Sequence, residues 1–485
     1  MMSIKRNFIY NLSYQILIMI LPFITTPYVS RVIGAEGVGI QSYTFSIANY
    51  FVLFATLGIN NHGNRSIAMA RQDKEKLNKT FISIYLVQVI MAILMMILYS
   101  IYIVFVVSEY KIIFTIQLIY IISALLDINW FFFGMEQFKL TVLRNTIIKL
   151  LSILSIFIFV KNNDDLYLYS LILALGSLIS QLILWKYLKK DISFVKVGYK
   201  DIRDQIKPII ILFIPVIAVS IYKILDKIML GSISTITQVG YFENSEKIIN
   251  MPLGIISALG TVMLPKMSNL LSNGYEAEGK KYILISIKFV MFIAFGAMFG
   301  LIGISNVFIP IFLGSEFTPC IVVMSVLSVT ILFIAWANVI RTQFLIPKKK
   351  DKIYIISTFL GAVINIILNL LLIGKFGAIG AAIGTIFAEG SVSIYQTIMV
   401  RKELEIKKYF MQSIFFLFPG IIICILVKYI GNLLGVNIIT GLIQITIGGL
   451  IYCIISGIYL YFTKDELIMS IINSALVRKY KNRID

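Results

Sequence analysis

Charge is scarce in this chain and unevenly signed: only 14% of the 485 residues are charged, with 43 Lys and Arg against 24 Asp and Glu. Metal-ligating and nucleophilic groups are scarcer still, at one histidine (His62) and three cysteines (Cys320, Cys424 and Cys453). The cysteines have no spacing that a zinc site or a disulfide framework requires, so they read as buried free thiols. His62 stands at a predicted helix end and reads as a loop residue, not a proton relay. No Gly-x4-Gly-Lys-Ser/Thr loop is available to cradle a nucleotide, and no zinc or hydrolase signature occurs. Long polar stretches are missing too. These absences argue against ATP hydrolysis by the chain itself, and the expectation is no metal, no cofactor and no catalytic residue.

What the chain does have is apolar length. Hydrophobic residues make up 59%, and a helix needs about 20 apolar residues to cross a hydrocarbon core of roughly 30 Å. Fourteen segments meet that requirement: 8–29, 38–60, 81–107, 111–134, 142–160, 165–188, 208–231, 238–265, 282–304, 318–340, 353–374, 377–400, 408–430 and 438–462. Most Lys and Arg fall on every second junction, around Arg65 to Lys79, Lys139 to Lys149, Lys186 to Lys207, Lys266 to Lys288, Arg341 to Lys352 and Arg401 to Lys408. The alternate junctions hold only Arg31, Lys111, Lys161 and Lys375. Cytoplasmic loops retain cations, so the pattern predicts an all-α polytopic membrane protein of 14 transmembrane helices with both termini cytoplasmic. The net charge of +19 is spread over short loops on one face, which suits anionic membrane lipids and not nucleic acid. The first apolar stretch lacks a small-residue cleavage site and reads as helix 1, not as a signal peptide.

The charged junction after helix 6 is the natural seam. It predicts an N-lobe over 1–190, a cytoplasmic linker over 191–207, a C-lobe over 208–404, two added helices over 405–462 and a tail over 463–485. A short internal repeat supports that division. Arg31-Val-Ile-Gly34 followed by Val38-Gly39 is echoed by Lys227-Ile-Met-Leu-Gly231 followed by Val239-Gly240, and parallel repeats of this kind build transporters with a substrate path between two lobes. The tail opens Thr463-Lys-Asp-Glu466, a capping-box pattern, and continues as an amphipathic helix suited to the inner leaflet.

Ionisable groups inside the spans are the candidate site. Helix 7 holds Lys223, Asp226 and Lys227, and helix 8 opens with Glu243, Glu246 and Lys247. Lys223 lies about 24 Å up its helix from Pro208 at 1.5 Å per residue. Such groups either pair locally, at i, i+3 or i, i+4 spacing, or line a hydrated cavity, because hydrocarbon tolerates neither unpaired form. Glu389, deep in helix 12, favours the cavity, and Asp127 stands in the inner third of helix 4. Asn365 and Asn369, one turn apart on helix 11, fit interhelical hydrogen bonding, and Gly377, Gly380 and Gly384 fit close helix packing.

Several blocks then read together. Pro22-Phe-Ile-Thr-Thr-Pro27-Tyr-Val-Ser-Arg31-Val-Ile-Gly34-Ala-Glu36-Gly37-Val-Gly39 resembles the opening of Wzx-type polysaccharide flippases. So do Asp127-Ile-Asn-Trp130-Phe-Phe-Phe-Gly134-Met-Glu136, Asp226-Lys227-Ile-Met-Leu-Gly231 with Val239-Gly240-Tyr241, and Gln343-Phe-Leu-Ile-Pro347 through Asn365 and Asn369 to Gly377-Ala-Ile-Gly380. The resemblance implies the multidrug, oligosaccharidyl-lipid and polysaccharide exporter superfamily: two six-helix lobes around a central cavity, with two further helices at the side. It implies a plasma-membrane protein of bacteria that moves undecaprenyl-diphosphate-linked oligosaccharide, with a polymerase and other polysaccharide-assembly proteins as candidate partners. Carried over by position, the substrate-contacting residues would be Arg31, Asp127, Lys223, Asp226, Lys227 and Glu389. Two alternatives are a multidrug antiporter, which predicts twelve helices, and a membrane polysaccharide polymerase, which predicts a large external catalytic loop.

Overall fold

The computed structural model describes residues 4–463 apart from Phe194, without the side chains of 4–16, 18, 19 and 222. The predicted tail beyond Thr463 lies outside the described residues. No strand occurs among them. The helices are α1 (Ile4–Thr56), α2 (Ile59–Ala70), α3 (Lys74–Phe105), α4 (Lys111–Leu125), α5 (Asn129–Gly134), α6 (Phe138–Phe159), α7 (Leu166–Leu188), α8 (Tyr199–Ile233) and α9 (Ile236–Ser272). They continue as α10 (Glu276–Phe312), α11 (Cys320–Leu327), α12 (Thr330–Ile340), α13 (Asp351–Phe376), α14 (Ala378–Val400), α15 (Ile406–Ser413), α16 (Leu417–Leu434) and α17 (Ile438–Phe462).

Among the described residues thirteen helical stretches are long and apolar enough to span a bilayer, and one of them is two spans in series. The 53 residues of α1 would reach about 80 Å if straight, more than twice a bilayer's hydrocarbon thickness. The helix is broken at Gly34, whose φ of 67° an L side chain adopts only at a steric cost. Gly34 therefore sits where the sequence places the junction between helices 1 and 2, and the all-α, fourteen-span architecture stands. Several helices outrun their predicted cores: α10 covers Glu276–Phe312 where 282–304 is expected, because its first turns, Glu276 to Lys281, are polar and its last turns continue past the polar Ser305-Asn306 step.

The chain forms two compact units, one of residues up to Asn244 together with Ile366–Ala381, the other of Ser245–Asn365 together with the residues from Ala382 onward. In the first, α4 packs on α1, α3 and α7, and α8 lies along α1, α2 and α3. One of its cores gathers Phe81, Trp130, Phe131 and Phe132 with Ile59, Ile67 and Leu184. The Trp130 indole donates to Gln88 Oε1 at 3.0 Å, which leaves no unsatisfied donor in that apolar setting. Gly63 lies against the Trp130 ring and Gly134 against Ile67, so the Trp130 to Gly134 block is the corner that seats α2. His62 is part of α2 and not of a loop: it is buried, with a ring nitrogen 2.7 Å from Gln205 Oε1 on α8. The segment before α8 is tied down by Ser193 N to Asn78 (3.1 Å), and the first turn of α8 by Lys79 to Asp201 (3.0 Å).

In the second unit α10 is the central pillar, contacted by α11, α12, α15, α16 and α17. Tyr452 on α17 stacks on Phe292 and donates to its carbonyl at 2.6 Å. Gln444 bonds the Val427 carbonyl at 2.8 Å, joining α17 to α16. Small residues allow these approaches: Gly296 faces the Tyr452 ring and Gly420 faces Phe299, the packing expected where lipid supplies no hydrophobic drive for association.

Candidate functional site: a charged cluster in the first unit

The two halves of the internal repeat meet. A side chain added at Gly39 would run into the Ile236 carbonyl, 2.8 Å from its carbon, and one added at Gly240 into the Ala35 carbonyl, 3.0 Å from its carbon. Ala35 and Gly39 are one turn apart on α1, and Ile236 and Gly240 one turn apart on α9. The contact is thus reciprocal, with each helix inserting its backbone into the gap the other's glycine leaves. Small-x3-small spacing creates such gaps.

One turn further along both helices, Ser42 donates to Glu243 Oε2 at 2.8 Å. Lys227 of α8 reaches the same oxygen at 2.6 Å, both partners of the pair being only 16% exposed. Beside Lys227, Asp226 is 3% exposed and accepts from Asn369 Nδ2 at 2.6 Å. Asn244 donates to Ser30 at 2.9 Å. Gln238 Oε1 accepts from the Ala378 amide at 2.9 Å, capping α14 next to Gly377, whose φ is 53°. Gly377 therefore serves a turn, while Gly380, against the Leu372 carbonyl, serves close packing. The bends at Gly34, between α8 and α9, and at Gly377 bring α1, α8, α9 and the 366–381 segment together around two carboxylates and one ammonium. A buried ion pair repays the cost of dehydration only when further hydrogen bonds complete it. Ser42 and Asn369 supply those bonds.

A second polar group lies toward the cationic end of the same unit. Asp127 stands where the chain breaks between α4 and α5, and its Oδ1 accepts from the Asn129 amide (2.9 Å) and side chain (2.6 Å). Arg144, 5% exposed, donates to Asn129 Oδ1 and to the Ser180 carbonyl, both at 2.8 Å, and Asn129 donates to Gln181 at 3.1 Å. Asp127 thus anchors a network that holds α5, α6 and α7.

The sequence-predicted residues divide accordingly. Lys227 and Glu243 are paired, Asp226 is adjacent, and Asp127 belongs to its own network. Arg31 and Lys223 are exposed on α1 and α8. Glu246, Lys247 and Glu389 belong to the second unit, the first two half-buried and Glu389 8% exposed. Asn369 makes the interhelical hydrogen bond expected of it, with Asp226 as partner. Sequence reasoning missed Ser42, Ser30, Asn244, Arg144 and Gln181. Ser42 could have been found by laying the repeats over each other, since it occupies the position equivalent to Glu243.

Comparison with known proteins agrees with this architecture. Residues 4–271 match the profile of the family described as "Polysaccharide biosynthesis protein". A putative O-antigen transporter of Shigella dysenteriae is 25% identical over 380 residues, spanning 77% of this chain and 94% of that protein. Another from Escherichia coli (strain K12) is 25% identical over 407 residues, covering 82% and 97%. Among solved structures, the inward closed conformation of the lipid II flippase MurJ superposes with a TM-score of 0.70 at 19% identity, covering 91% of this chain and 99% of that one, a likeness of fold.

Proposed function

The chain belongs to the polysaccharide biosynthesis protein family, and on that footing we propose that it is a flippase for undecaprenyl-diphosphate-linked oligosaccharide repeat units. It carries them from the inner to the outer leaflet by alternating access of lobes 1–190 and 208–404, joined by 191–207, with 405–462 as added helices. Both termini face the cytoplasm, and the membrane is the plasma membrane of a bacterium. The curated relatives named as O-antigen transporters and the flippase fold support this reading. The observation that carries it is the charged cluster of Lys227, Glu243 and Asp226 within an apolar helical body.

The physics suits the task. Each sugar hydroxyl left without a partner in hydrocarbon costs on the order of several kcal/mol, so the head group crosses through a hydrated path while the lipid tail stays in the bilayer. Cations along that path attract the diphosphate. A membrane potential negative inside favours outward movement of anions by about 2.3 kcal/mol per charge per 100 mV. Lys223, exposed on α8, and Lys227 are the ammonium groups we assign to the diphosphate. Arg31, Asp127, Glu246, Lys247 and Glu389 complete the proposed set. In the state described, Lys227 is held by Glu243, so substrate engagement exchanges a carboxylate partner for a phosphate.

Deleting the gene tests the reading. Lipid-linked repeat units should accumulate on the cytoplasmic side, and surface polymer should be absent. Normal delivery to the outer leaflet with only polymer length altered would assign the chain to polymerisation instead.

A further inference from the structure

α11 and α12 belong to one apolar stretch whose winding changes twice. Between them, Ser328 and Val329 have φ, ψ of −60°, −21° and −62°, −30°. The amides of Val329, Ile331 and Leu332 there donate three residues back, to the carbonyls of Val326 (3.2 Å), Ser328 (3.1 Å) and Val329 (3.2 Å). That is the tighter 3₁₀ winding. After α12, Arg341–Leu345 forms a π turn, and the Ile346 amide donates five residues back to Arg341 at 3.0 Å. One step is overwound and the other underwound. Turning α12 about its own axis would relax both at once while the flanking segments stay in place. The turn amounts to about 60°, because three residues would each advance 100° instead of 120°.

The backbone is equipped for that exchange. The 3₁₀ step takes the Ile331 amide from the Leu327 carbonyl, and the Thr330 hydroxyl donates to that carbonyl at 2.6 Å. The Ser328 hydroxyl does the same at 2.7 Å for the Ser325 carbonyl, which the Val329 amide has left. At the π turn the Thr342 hydroxyl donates to the Asn338 carbonyl at 2.7 Å. Hydroxyls that take over a carbonyl let a helix change its winding in hydrocarbon without stranding polar backbone. The side chains point the same way. Gln343 is fully buried, yet among the described residues neither its Oε1 nor its Nε2 has a hydrogen-bond partner, and the buried Asn338 Oδ1 has none either. Buried carboxamides are ordinarily paired. We propose that α12 is a rotor with two positions, held here in the one that leaves these carboxamides unpaired. Rotation pairs them and breaks the 2.9 Å hydrogen bond from Trp336 to Thr397.

Gln343→Leu nearly keeps the side-chain volume and removes both unmade bonds, so it should hold α12 in this position. The full chain in detergent should then unfold at a higher temperature. Hydrogen exchange in peptides covering 328–332 and 341–346 should slow about tenfold, the shift expected when a buried hydrogen-bond deficit is removed from one of two states. Both readings are made without substrate, so their failure is distinct from failure of the proposed transport. A Cβ at Gly260 would lie 2.6 Å from Asn338 Oδ1, which brings the pair Gly260→Cys/Asn338→Cys within bridging reach. In a background lacking the three native cysteines, oxidising that pair should arrest delivery of surface polymer and reduction should restore it. A lowered midpoint in Gln343→Leu would mean that the amide is satisfied where it lies, and would overturn the proposal. So would unchanged exchange at both steps, or full transport by the oxidised pair.

Discussion

Replacing Gly39 by alanine adds a single methyl group where the backbone of α1 meets that of α9. The methyl carbon would lie 2.8 Å from the Ile236 carbonyl carbon and nearer still to its oxygen, and a backbone carbonyl cannot swing aside as a side chain can. The helices must separate by a sizeable fraction of an ångström, an overpacking strain that typically costs about 1–3 kcal/mol. Alanine also favours helix over glycine by about 1 kcal/mol, but that gain applies whether the crossing is closed or open and cancels in their ratio. The closed crossing should therefore lose about 5- to 150-fold in population relative to the open one. The assay is the rate at which an impermeant maleimide labels Ser42→Cys in intact cells, in a background lacking Cys320, Cys424 and Cys453. Ser42 is buried in the closed crossing, so Gly39→Ala should accelerate labelling, and Gly240→Ala should do the same because the contact is reciprocal. Gly449→Ala is the control, since a side chain there meets open space. Unchanged labelling in both glycine variants, at normal expression, would refute the claim that a methyl group at this contact drives α1 and α9 apart.

Charge at Lys227 should matter more than size: at equal expression Lys227→Arg should retain most transport, while Lys227→Ala and Lys227→Glu should lose it progressively, read as surface polymer in the deletion strain. Lys227→Ala should destabilise the fold by about 3–5 kcal/mol by taking the Lys227 ammonium away from the mostly buried Glu243 carboxylate, and adding Glu243→Gln should recover much of that, measured as thermal midpoints in detergent. Asp73→Ala removes the side chain that caps Glu75 and Lys76 at the start of α3 and should cost about 1 kcal/mol, visible as a lowered midpoint with transport intact. A single cysteine between Lys186 and Lys207 should resist impermeant reagents in intact cells and one between Ser305 and Thr318 should react; the opposite pattern would invert the topology.

Much of the architecture was legible because hydrocarbon imposes one rule on every span. Length and apolarity sufficed to find fourteen helices, and Gly34 marked the break inside α1 because glycine alone takes φ 67° without strain. Helix ends were less legible, since the polar first turns of α10 and α3 carry no hydropathy signal. The candidate site was half visible. Lys227 and Glu243 stood out as ionisable groups inside spans, but their pairing joins α8 to α9 and local spacing pointed elsewhere, to Lys223 with Asp226 and Glu243 with Lys247. Arg144 was read as topology signalling at a cationic junction, and only its burial against Asn129 and Ser180 reveals a structural role. Ser42 carries no charge and so raised no flag.

The reciprocal crossing of α1 and α9 has a wider implication. A contact in which position i of one element meets j of another, and j meets i, is the kind an isologous two-fold dimer makes. Here both surfaces lie on one chain, so a single ancestral segment capable of pairing with its own copy would have supplied both helices at once. Tandem duplication of such a segment needs no new interface to be invented. The two copies could then diverge around a shared seam, one keeping a hydroxyl at Ser42 and the other gaining a carboxylate at Glu243. In a sequence library of this chain, paired changes at Gly39 and Gly240, or at Ser42 and Glu243, should accordingly be tolerated together more often than singly.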